Sequence, residues 1–367
     1  MPDMALEVIP EDVKVRLASG EPLAVLDVRE HDEVTTWPFP GSIHIPLKQV
    51  LEGQLPGVLG DRPLITLCHS GNRSLVAAQV LRRRGLVAQS MRGGIAAWSR
   101  LYDVASISLG DRAEVLQFRR LGKGCLSYLV VAGGEAAVID PSWQTSQYVE
   151  AAAARGAAIR AVIDTHLHAD HVSGGRSLAE ATGAPLYLNP ADPFAYDQFT
   201  AVGEGFTIGV GLLPMTAMAT PGHTAGSVVW RLGDDALVTG DVLFLESIGR
   251  PDLHGKAEAF ARDLYRTLKR LAALPQDLAI LPGHFPEDTR LIFGLPHTDR
   301  LGPVRARLRF DAEDEETFVA RTSRVPERPP NMAAILEINR YGTPVRPEEV
   351  AVLEEGPNRC AVKAGEV

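Results

Sequence analysis

Short apolar runs alternate with helical patterns along the first hundred residues. The runs at 22–28 and 63–68 predict buried strands, and residues 74–85 have helical spacing and end at a glycine. Strands that alternate with helices indicate a parallel α/β sheet. We expect this first unit to close at residue 103 and the weakly patterned residues 104–111 to form a linker.

The second unit, residues 112–297, mixes hairpins with crossover helices. Two strand patterns within 125–140 flank Gly133–Gly134, which predicts a hairpin turn. The pattern further predicts a helix at 145–155, strands at 158–164, 186–189, 227–232, 236–241 and 278–284, and a long amphipathic helix at 256–274. This mixture predicts a layered α/β/β/α sandwich.

The last segment, residues 298–367, is charged and proline-rich. We expect an extended tail packed on the second domain, whose one candidate helix is 331–340. The stretch LEEGPNRCAV near the end, including Cys360, has no predicted role.

Composition narrows the class of protein. Of the 367 residues 45% are hydrophobic and 23% charged, which is typical of a soluble globular protein. The net charge of −9 argues against nucleic-acid binding, and no apolar run approaches the roughly 20 residues of a membrane span. The N-terminus lacks a secretory signal pattern and three cysteines are too few for a disulfide framework, so we predict a cytoplasmic protein.

The first candidate for chemistry is Cys68, at the end of a predicted strand, with a helix expected just after Arg73. The intervening loop can direct backbone N–H groups at the sulfur, and the helix N-terminus and Arg73 add positive potential. These features favour a thiolate nucleophile and would stabilise a persulfide. A single cysteine without further motifs around it is more often a buried structural residue.

The context of Cys68 resembles the single-domain rhodaneses. The segments LDVREHDE, FPGSIHIPL, CHSGNRS and GGIAAW occur in that family's order within residues 1–103, and the loop has its sulfurtransferase length. The segment HDEVTTWPF departs from the family pattern. The resemblance implies a parallel-sheet domain with Cys68 and Arg73 as catalytic residues.

Seven residues that commonly bind metals follow predicted strands of the second unit, and histidines with carboxylates suit borderline divalent metals. They are His166, His168, Asp170 and His171 in THLHADH, His223 in TPGHTAGS, Asp241 in TGDVLF and His284 in LPGH. Single histidines are usually structural, but four motifs in this order resemble the metallo-β-lactamase superfamily over about 112–297.

The resemblance implies two alternative metal sites. In the dinuclear hydrolases, such as glyoxalase II, His166, His168 and His223 would hold one Zn(II), Asp170, His171 and His284 a second, and Asp241 would bridge them. In the persulfide dioxygenases, His166, His223 and Asp241 would hold one Fe(II) as a 2-His-1-carboxylate triad. The other four residues would then surround the iron site without binding it.

The stretch Gly249-Arg250-Pro251-Asp252 resembles the Gly-Arg-x-Asp of persulfide dioxygenases. Arg250 is expected to bind a carboxylate of the thiol substrate, and Asp252 to hydrogen-bond nearby histidines and disfavour a second ion. A surface Arg–Asp pair is the alternative. The segments QFRRLGKGCLSYLV and RVPERPPNM resemble the same branch, and SIG replaces its usual GCG.

We therefore expect Fe(II)-dependent oxidation of a small thiol persulfide by O₂ to sulfite and thiol. The rhodanese domain would exchange sulfur with thiosulfate or sulfite through Cys68. The alternatives are a dinuclear zinc thioester hydrolase and a non-catalytic sulfur-responsive module. The thiol (glutathione, coenzyme A or bacillithiol) and a possible homodimer stay open.

Overall fold

The computed structural model describes residues 4–55, 57–59, 62–251, 257–286, 288–290, 292–324, 331–358 and 360–363. Within these ranges, no helix combines the length and the apolar character that crossing a membrane requires.

The first domain is a parallel sheet in the strand order β1-β5-β4-β2-β3. Apolar residues fill both faces, since helices cover the sheet on either side. Its elements are β1 (Glu7–Val8), α1 (Pro10–Ala18), β2 (Ala24–Asp27), α2 (His31–Thr36), β3 (Ile43–His44), α3 (Leu47–Glu52), a 3-10 turn at Gly57–Leu59, β4 (Leu64–Leu67), α4 (Asn72–Arg83), β5 (Ala88–Met91) and α5 (Gly94–Trp98).

The second domain opens with a mixed sheet in the order β12-β11-β10-β9-β8-β7-β6. The predicted hairpin turn at Gly133–Gly134 joins β8 to β9, as expected. Its elements are β6 (Tyr102–Ser108), β7 (Glu114–Arg120), β8 (Leu126–Ala132), β9 (Glu135–Ile139), α6 (Ser146–Ala153), β10 (Ala158–Ile163), α7 (Gly175–Thr182), β11 (Leu186–Leu188) and β12 (Thr200–Ala201).

A further sheet, in the order β13-β14-β15-β16-β18-β19, packs against the mixed sheet. The elements of this part of the chain are β13 (Thr207–Val210), β14 (Leu213–Ala219), β15 (Val228–Leu232), β16 (Ala236–Gly240), β17 (Ser247–Gly249), α8 (Ala257–Ala272), β18 (Ala279–Pro282) and β19 (Asp299–Arg300). Of these, β17 lies outside the sheet and pairs antiparallel with a C-terminal strand, β20.

Three apolar clusters confirm the predicted α/β/β/α layering. Tyr128 and Trp230 are fully buried between the two sheets, and Tyr148 and Leu178 join α6 and α7 to the outer face of the mixed sheet. The helix α8 covers the other outer face with Leu264, Leu268 and Leu271, which are spaced to lie on one side. Each such buried leucine stabilises the fold by roughly 1.5–3 kcal/mol.

The structure differs from the predicted linker and tail. Residues 102–108 form β6, which pairs with β7 along its whole length, so most of the predicted linker 104–111 belongs to a sheet. The tail is helical rather than extended, and the predicted helix at 331–340 is one of its elements. These are α9 (Leu301–Leu308), α10 (Glu315–Thr322), α11 (Met332–Tyr341), α12 (Pro347–Leu353) and β20 (Ala361–Lys363).

The other tail helices were not predicted because they are short and lie among charged residues. They are held by tertiary contacts, such as Phe318 of α10 and Val304 of α9, which pack into the cluster under α8. Short helices depend on such packing more than on intrinsic propensity.

Candidate functional site

Cys68 lies directly after β4 at the amino end of α4 and is buried. Its Sγ accepts a hydrogen bond from the Gly71 N–H at 3.1 Å and lies 3.4 Å from Ser74 Oγ. The helix begins at Asn72, two residues earlier than expected, so Arg73 lies in its first turn. The amino end of α4 and one backbone N–H therefore face the sulfur, as the nucleophile hypothesis requires.

The helix α5 supports the loop from behind. The N–H groups of Ile95 and Ala96 donate to the carbonyls of Cys68 (2.9 Å) and His69 (3.2 Å). This contact needs a glycine at 94, because a Cβ there would lie 2.2 Å from the Cys68 oxygen. The loop is thus shaped by a second helix as well as by α4.

Arg73 forms a bidentate ion pair with Glu33 of α2, with both N–O distances 2.6 Å. The Arg73 hydrogen bonds outweigh burial and lower the pKa of Glu33 to about 2. The guanidinium is thereby held beside the loop. A catalytic role for Arg73 toward Cys68 stays a prediction.

In the second domain, His166, His223 and Asp241 converge at one edge of the sheets. They follow β10, β14 and β16, and one donor atom of each lies within 4.8 Å of the other two. All three are at most 3% exposed. His166 Nε2, His223 Nε2 and Asp241 Oδ2 are buried without a hydrogen-bond partner among the described residues.

Neighbouring groups orient both imidazoles. His166 Nδ1 lies 2.9 Å from Thr165 Oγ1, which itself donates to Asp140 at 2.9 Å. His223 Nδ1 lies 2.9 Å from the Arg250 carbonyl, which can only accept. The Nδ1 atoms therefore carry the protons, and the Nε2 lone pairs are left to bind a metal.

Burial lowers the pKa of both His166 and His223 below the usual range, for His166 with the help of the neighbouring His168. Both rings are therefore neutral near pH 7, the form that binds metals. Burial would raise the pKa of Asp241, but the charge and hydrogen bond of His284 outweigh it and keep the carboxylate ionised.

These three residues fit one divalent metal ion. Buried polar atoms are rarely left unsatisfied, and three of them meet here with lone pairs on two imidazoles and one carboxylate. That donor set suits iron, zinc and other borderline metals.

The remaining predicted ligands are tied mainly to one another. Asp170 Oδ2 lies 3.0 Å from His284 Nε2 and 3.1 Å from His171 Nδ1, while His284 Nδ1 lies 2.7 Å from Asp241 Oδ1. His168 Nε2 lies 3.2 Å from Asp140 Oδ1. Among the ring nitrogens of His168, His171 and His284, His168 Nδ1 has no hydrogen-bond partner within the described part of the chain.

Three residues without a predicted role also contact the site, namely Cys125, Asn339 and Asn358. The Cys125 thiol donates to Asp170 Oδ2 at 3.2 Å, and Asn358 Nδ2 donates to the same oxygen at 3.1 Å. Asn339 Nδ2 donates to the carbonyls of His168 and His171 at 2.9 and 2.8 Å. No metal-ligand spacing marks these residues, because they come from segments remote from the histidine motif.

Arg250 is 1% exposed, and its backbone serves the site directly. Its carbonyl accepts from His223, and its N–H donates to the Cys360 carbonyl at 3.1 Å. The backbone of Cys360 thus has a structural role, although no role was predicted for this residue. Substrate binding by Arg250 stays a prediction, and Asp252 lies outside the described residues.

Comparisons with known proteins match both domains. The family model described as Rhodanese-like domain matches residues 9–101, and that of the Metallo-beta-lactamase superfamily matches residues 121–284. A hydroxyacylglutathione hydrolase of Anaeromyxobacter dehalogenans is 31% identical over 246 residues, which cover 66% of this chain and 93% of that protein.

Two crystal structures share the fold. A metallo-beta-lactamase from Staphylococcus aureus aligns with a TM-score of 0.59 and 28% identity, over 64% of this chain and 74% of that one. ETHE1 from Myxococcus xanthus aligns with a TM-score of 0.52 and 27% identity, over 59% of this chain and 94% of that one.

Proposed function

Because this chain belongs to the metallo-β-lactamase superfamily and carries a rhodanese-like domain, we propose that it is a persulfide dioxygenase with a sulfurtransferase domain. One Fe(II) per chain is held by His166, His223 and Asp241. The supporting observation is that these residues alone present three converging, buried and unpartnered donor atoms among the described residues. In contrast, His171 and His284 both hydrogen-bond to Asp170.

When bound, iron supplies a redox-active template on which a persulfide and O₂ can meet. His166, His223 and Asp241 would be the three residues of this chain that hold it. The overall reaction converts a thiol persulfide, O₂ and water into thiol, hydrogen sulfite and a proton. Oxygen is reduced, the outer sulfur is oxidised, and the S–S bond breaks.

The two domains handle related substrates. The Cys68 thiolate takes the outer sulfur of thiosulfate, with release of sulfite, or of a persulfide, with release of its thiolate, and becomes a cysteine persulfide. A small thiolate then removes that sulfur and restores the Cys68 thiolate. The second domain consumes the small-molecule persulfide, and its sulfite product can accept sulfur from Cys68 to give thiosulfate. Arg250 is proposed to bind a carboxylate of the thiol carrier.

A dinuclear zinc thioester hydrolase is the second candidate. The hydroxyacylglutathione hydrolases among the relatives favour it, and so does the unpartnered Nδ1 of His168, which is a spare metal donor. In that enzyme the zinc ions would supply an activated water for hydrolysis of the thioester. Asp170, His171 and His284 would have to exchange their mutual hydrogen bonds for a metal.

Metal analysis of anaerobically purified protein, combined with two assays, separates the candidates. We expect one iron per chain and O₂ uptake with a glutathione, coenzyme A or bacillithiol persulfide. Two zinc ions per chain, with hydrolysis of an S-(2-hydroxyacyl)glutathione and no O₂ uptake, would overturn the proposal.

A further inference from the structure

The Asp170 carboxylate is the centre of a buried cluster that the proposed reaction does not use. Its Oδ2 lies within hydrogen-bond distance of four donors: Cys125 Sγ, His171 Nδ1, His284 Nε2 and Asn358 Nδ2. The side chain is 6% exposed, so water does little to compete with these contacts.

The same cluster has the composition of a metal site. Donor atoms of Cys125, Asp170 and His284 lie within 4.8 Å of one another. A thiolate, an imidazole and a carboxylate are all ligands of zinc. Cys125 reaches the cluster from the segment just before β8, outside the histidine motif.

Asn358 differs from the other donors on Asp170. A thiol or an imidazolium can release its proton and bind a metal, whereas the amide N–H group of asparagine keeps its protons near neutral pH. Its hydrogen bond therefore competes with any cation for the Asp170 oxygen.

The backbone holds Asn358 in place. Its Oδ1 accepts from the Cys360 N–H at 2.7 Å, and its own N–H donates to the Lys123 carbonyl at 3.2 Å. Upstream, the Glu354 side chain is buried and bonds to Arg120 and to the Val172 N–H. The amide is therefore fixed against Asp170 and does not swing freely.

We propose that Asn358 is a positioning residue that limits this chain to one metal ion. It keeps Asp170 as a hydrogen-bond acceptor and so closes a latent second site formed by Cys125, Asp170 and His284. The inference rests on the proposed function, because it assumes that the first ion lies at His166, His223 and Asp241.

The test counts metal ions in the full-length chain. Wild type, Asn358→Ala and the control Asn331→Ala are incubated with excess Zn(II) or Co(II), desalted and analysed for metal. Asn331 is another asparagine of the C-terminal tail, but its side chain donates to the carbonyls of Val352 and Leu353 and not to Asp170. We expect one ion in wild type and Asn331→Ala and two in Asn358→Ala.

A spectroscopic readout identifies the second site. The extra Co(II) in Asn358→Ala should show sulfur-to-cobalt charge-transfer absorption, which disappears in the Asn358→Ala, Cys125→Ser double variant. A role in stability alone would lower metal content and give no new band. Asn358→Leu keeps the side-chain volume without a donor and serves if the alanine variant does not fold.

Each outcome decides one question. One ion in both Asn358→Ala and Asn358→Leu overturns the role of Asn358, as does a second ion without the thiolate band. Two ions in wild type overturn the inference and also the mononuclear site. One ion in wild type and two in the variant, together with thioester hydrolysis instead of O₂ uptake, would sustain the inference and refute the proposed function.

Discussion

His284 faces a carboxylate at each ring nitrogen, Asp241 at 2.7 Å and Asp170 at 3.0 Å. Burial would lower the pKa of His284, but these two negative charges outweigh it and raise the pKa well above the usual range. A doubly protonated imidazole has no lone pair to give a metal. We therefore infer that His284 orients Asp241 in the proposed single-ion site and is not one of its ligands.

The variants Asp241→Ala and His284→Ala should therefore differ. Asp241→Ala removes the carboxylate ligand and should abolish both iron binding and O₂ uptake. His284→Ala removes a hydrogen bond to that ligand, and losses of this kind lower metal affinity by about 10–100-fold. Iron content measured over a range of free Fe(II) checks this, with His284→Ala filling at higher iron and Asp241→Ala staying empty.

Equal loss of iron in the two variants at saturating Fe(II) would make His284 a ligand. The single-ion site would then be wrong.

Cys68→Ser tests the sulfur-transfer loop. A hydroxyl is far less acidic than a thiol, so the variant should lose thiosulfate:thiol sulfur transfer while O₂ uptake with a preformed persulfide stays nearly intact. Sulfur transfer from thiosulfate to cyanide is the direct assay. Undiminished transfer would exclude Cys68 as the sulfur carrier.

Among the elements, α5 determines the shape of the Cys68 loop. Gly94 has a φ of +59°, and a Cβ there would lie 2.2 Å from the Cys68 oxygen and 2.5 Å from the His69 oxygen. Gly85, after α4, has a φ of +84° but nothing within 4 Å of its Cβ position. Alanine at position 85 would therefore add backbone strain alone, whereas alanine at position 94 would add both backbone strain and steric overlap.

Gly85→Ala should cost only the left-handed backbone penalty, about 1–2 kcal/mol. Gly94→Ala adds overpacking and should cost about 2–5 kcal/mol in total, with loss of sulfur transfer. Denaturant unfolding of both variants, with the thiosulfate assay, measures the two effects. Normal transfer activity in Gly94→Ala would show that α5 does not shape the loop.

At the scale of the whole molecule, the tail connects the two domains near their sites. Glu355 lies 3.4 Å from His69 of the Cys68 loop, Asn358 reaches Asp170, and the Cys360 carbonyl accepts from Arg250. Trp37 of the first domain also donates to the Gly122 carbonyl of the second at 2.5 Å. The tail therefore contributes to the surroundings of both the Cys68 loop and the candidate metal site.

Glu354→Gln should release the tail. The Glu354 side chain is fully buried and pairs with buried Arg120, so the neutral variant leaves a buried charge without its counterion. Breaking such a pair costs about 3–5 kcal/mol.

The control is Glu349→Gln in α12, whose partner Arg346 is largely exposed. Solvent screens an exposed ion pair of this kind, so its loss should change the stability little. Thermal unfolding and limited proteolysis of the tail are measured for both variants. Equal stability of Glu354→Gln and Glu349→Gln would show that the Glu354–Arg120 pair does not hold the tail in place.

The fold class of both domains followed from the sequence by itself, and so did several of their strands and helices. Periodic apolar patterns correctly predicted β4, α4, the β8–β9 hairpin, β10 and α8, because these elements bury one regular face. The histidine motif also indicated candidate metal ligands, since His166, His168, Asp170 and His171 lie close together in the chain and follow one strand.

Tertiary structure alone decided which of those residues keep a free donor atom. The bond from Asn358 to Asp170 joins residues 188 positions apart, and that from Cys125 spans 45. No local pattern records such contacts, because they depend on how the loop before β8, the loop after β10 and the tail pack together. Under the proposed function, the number of metal ions depends on these long-range hydrogen bonds rather than on the ligand motif, because both candidate reactions share the same seven residues.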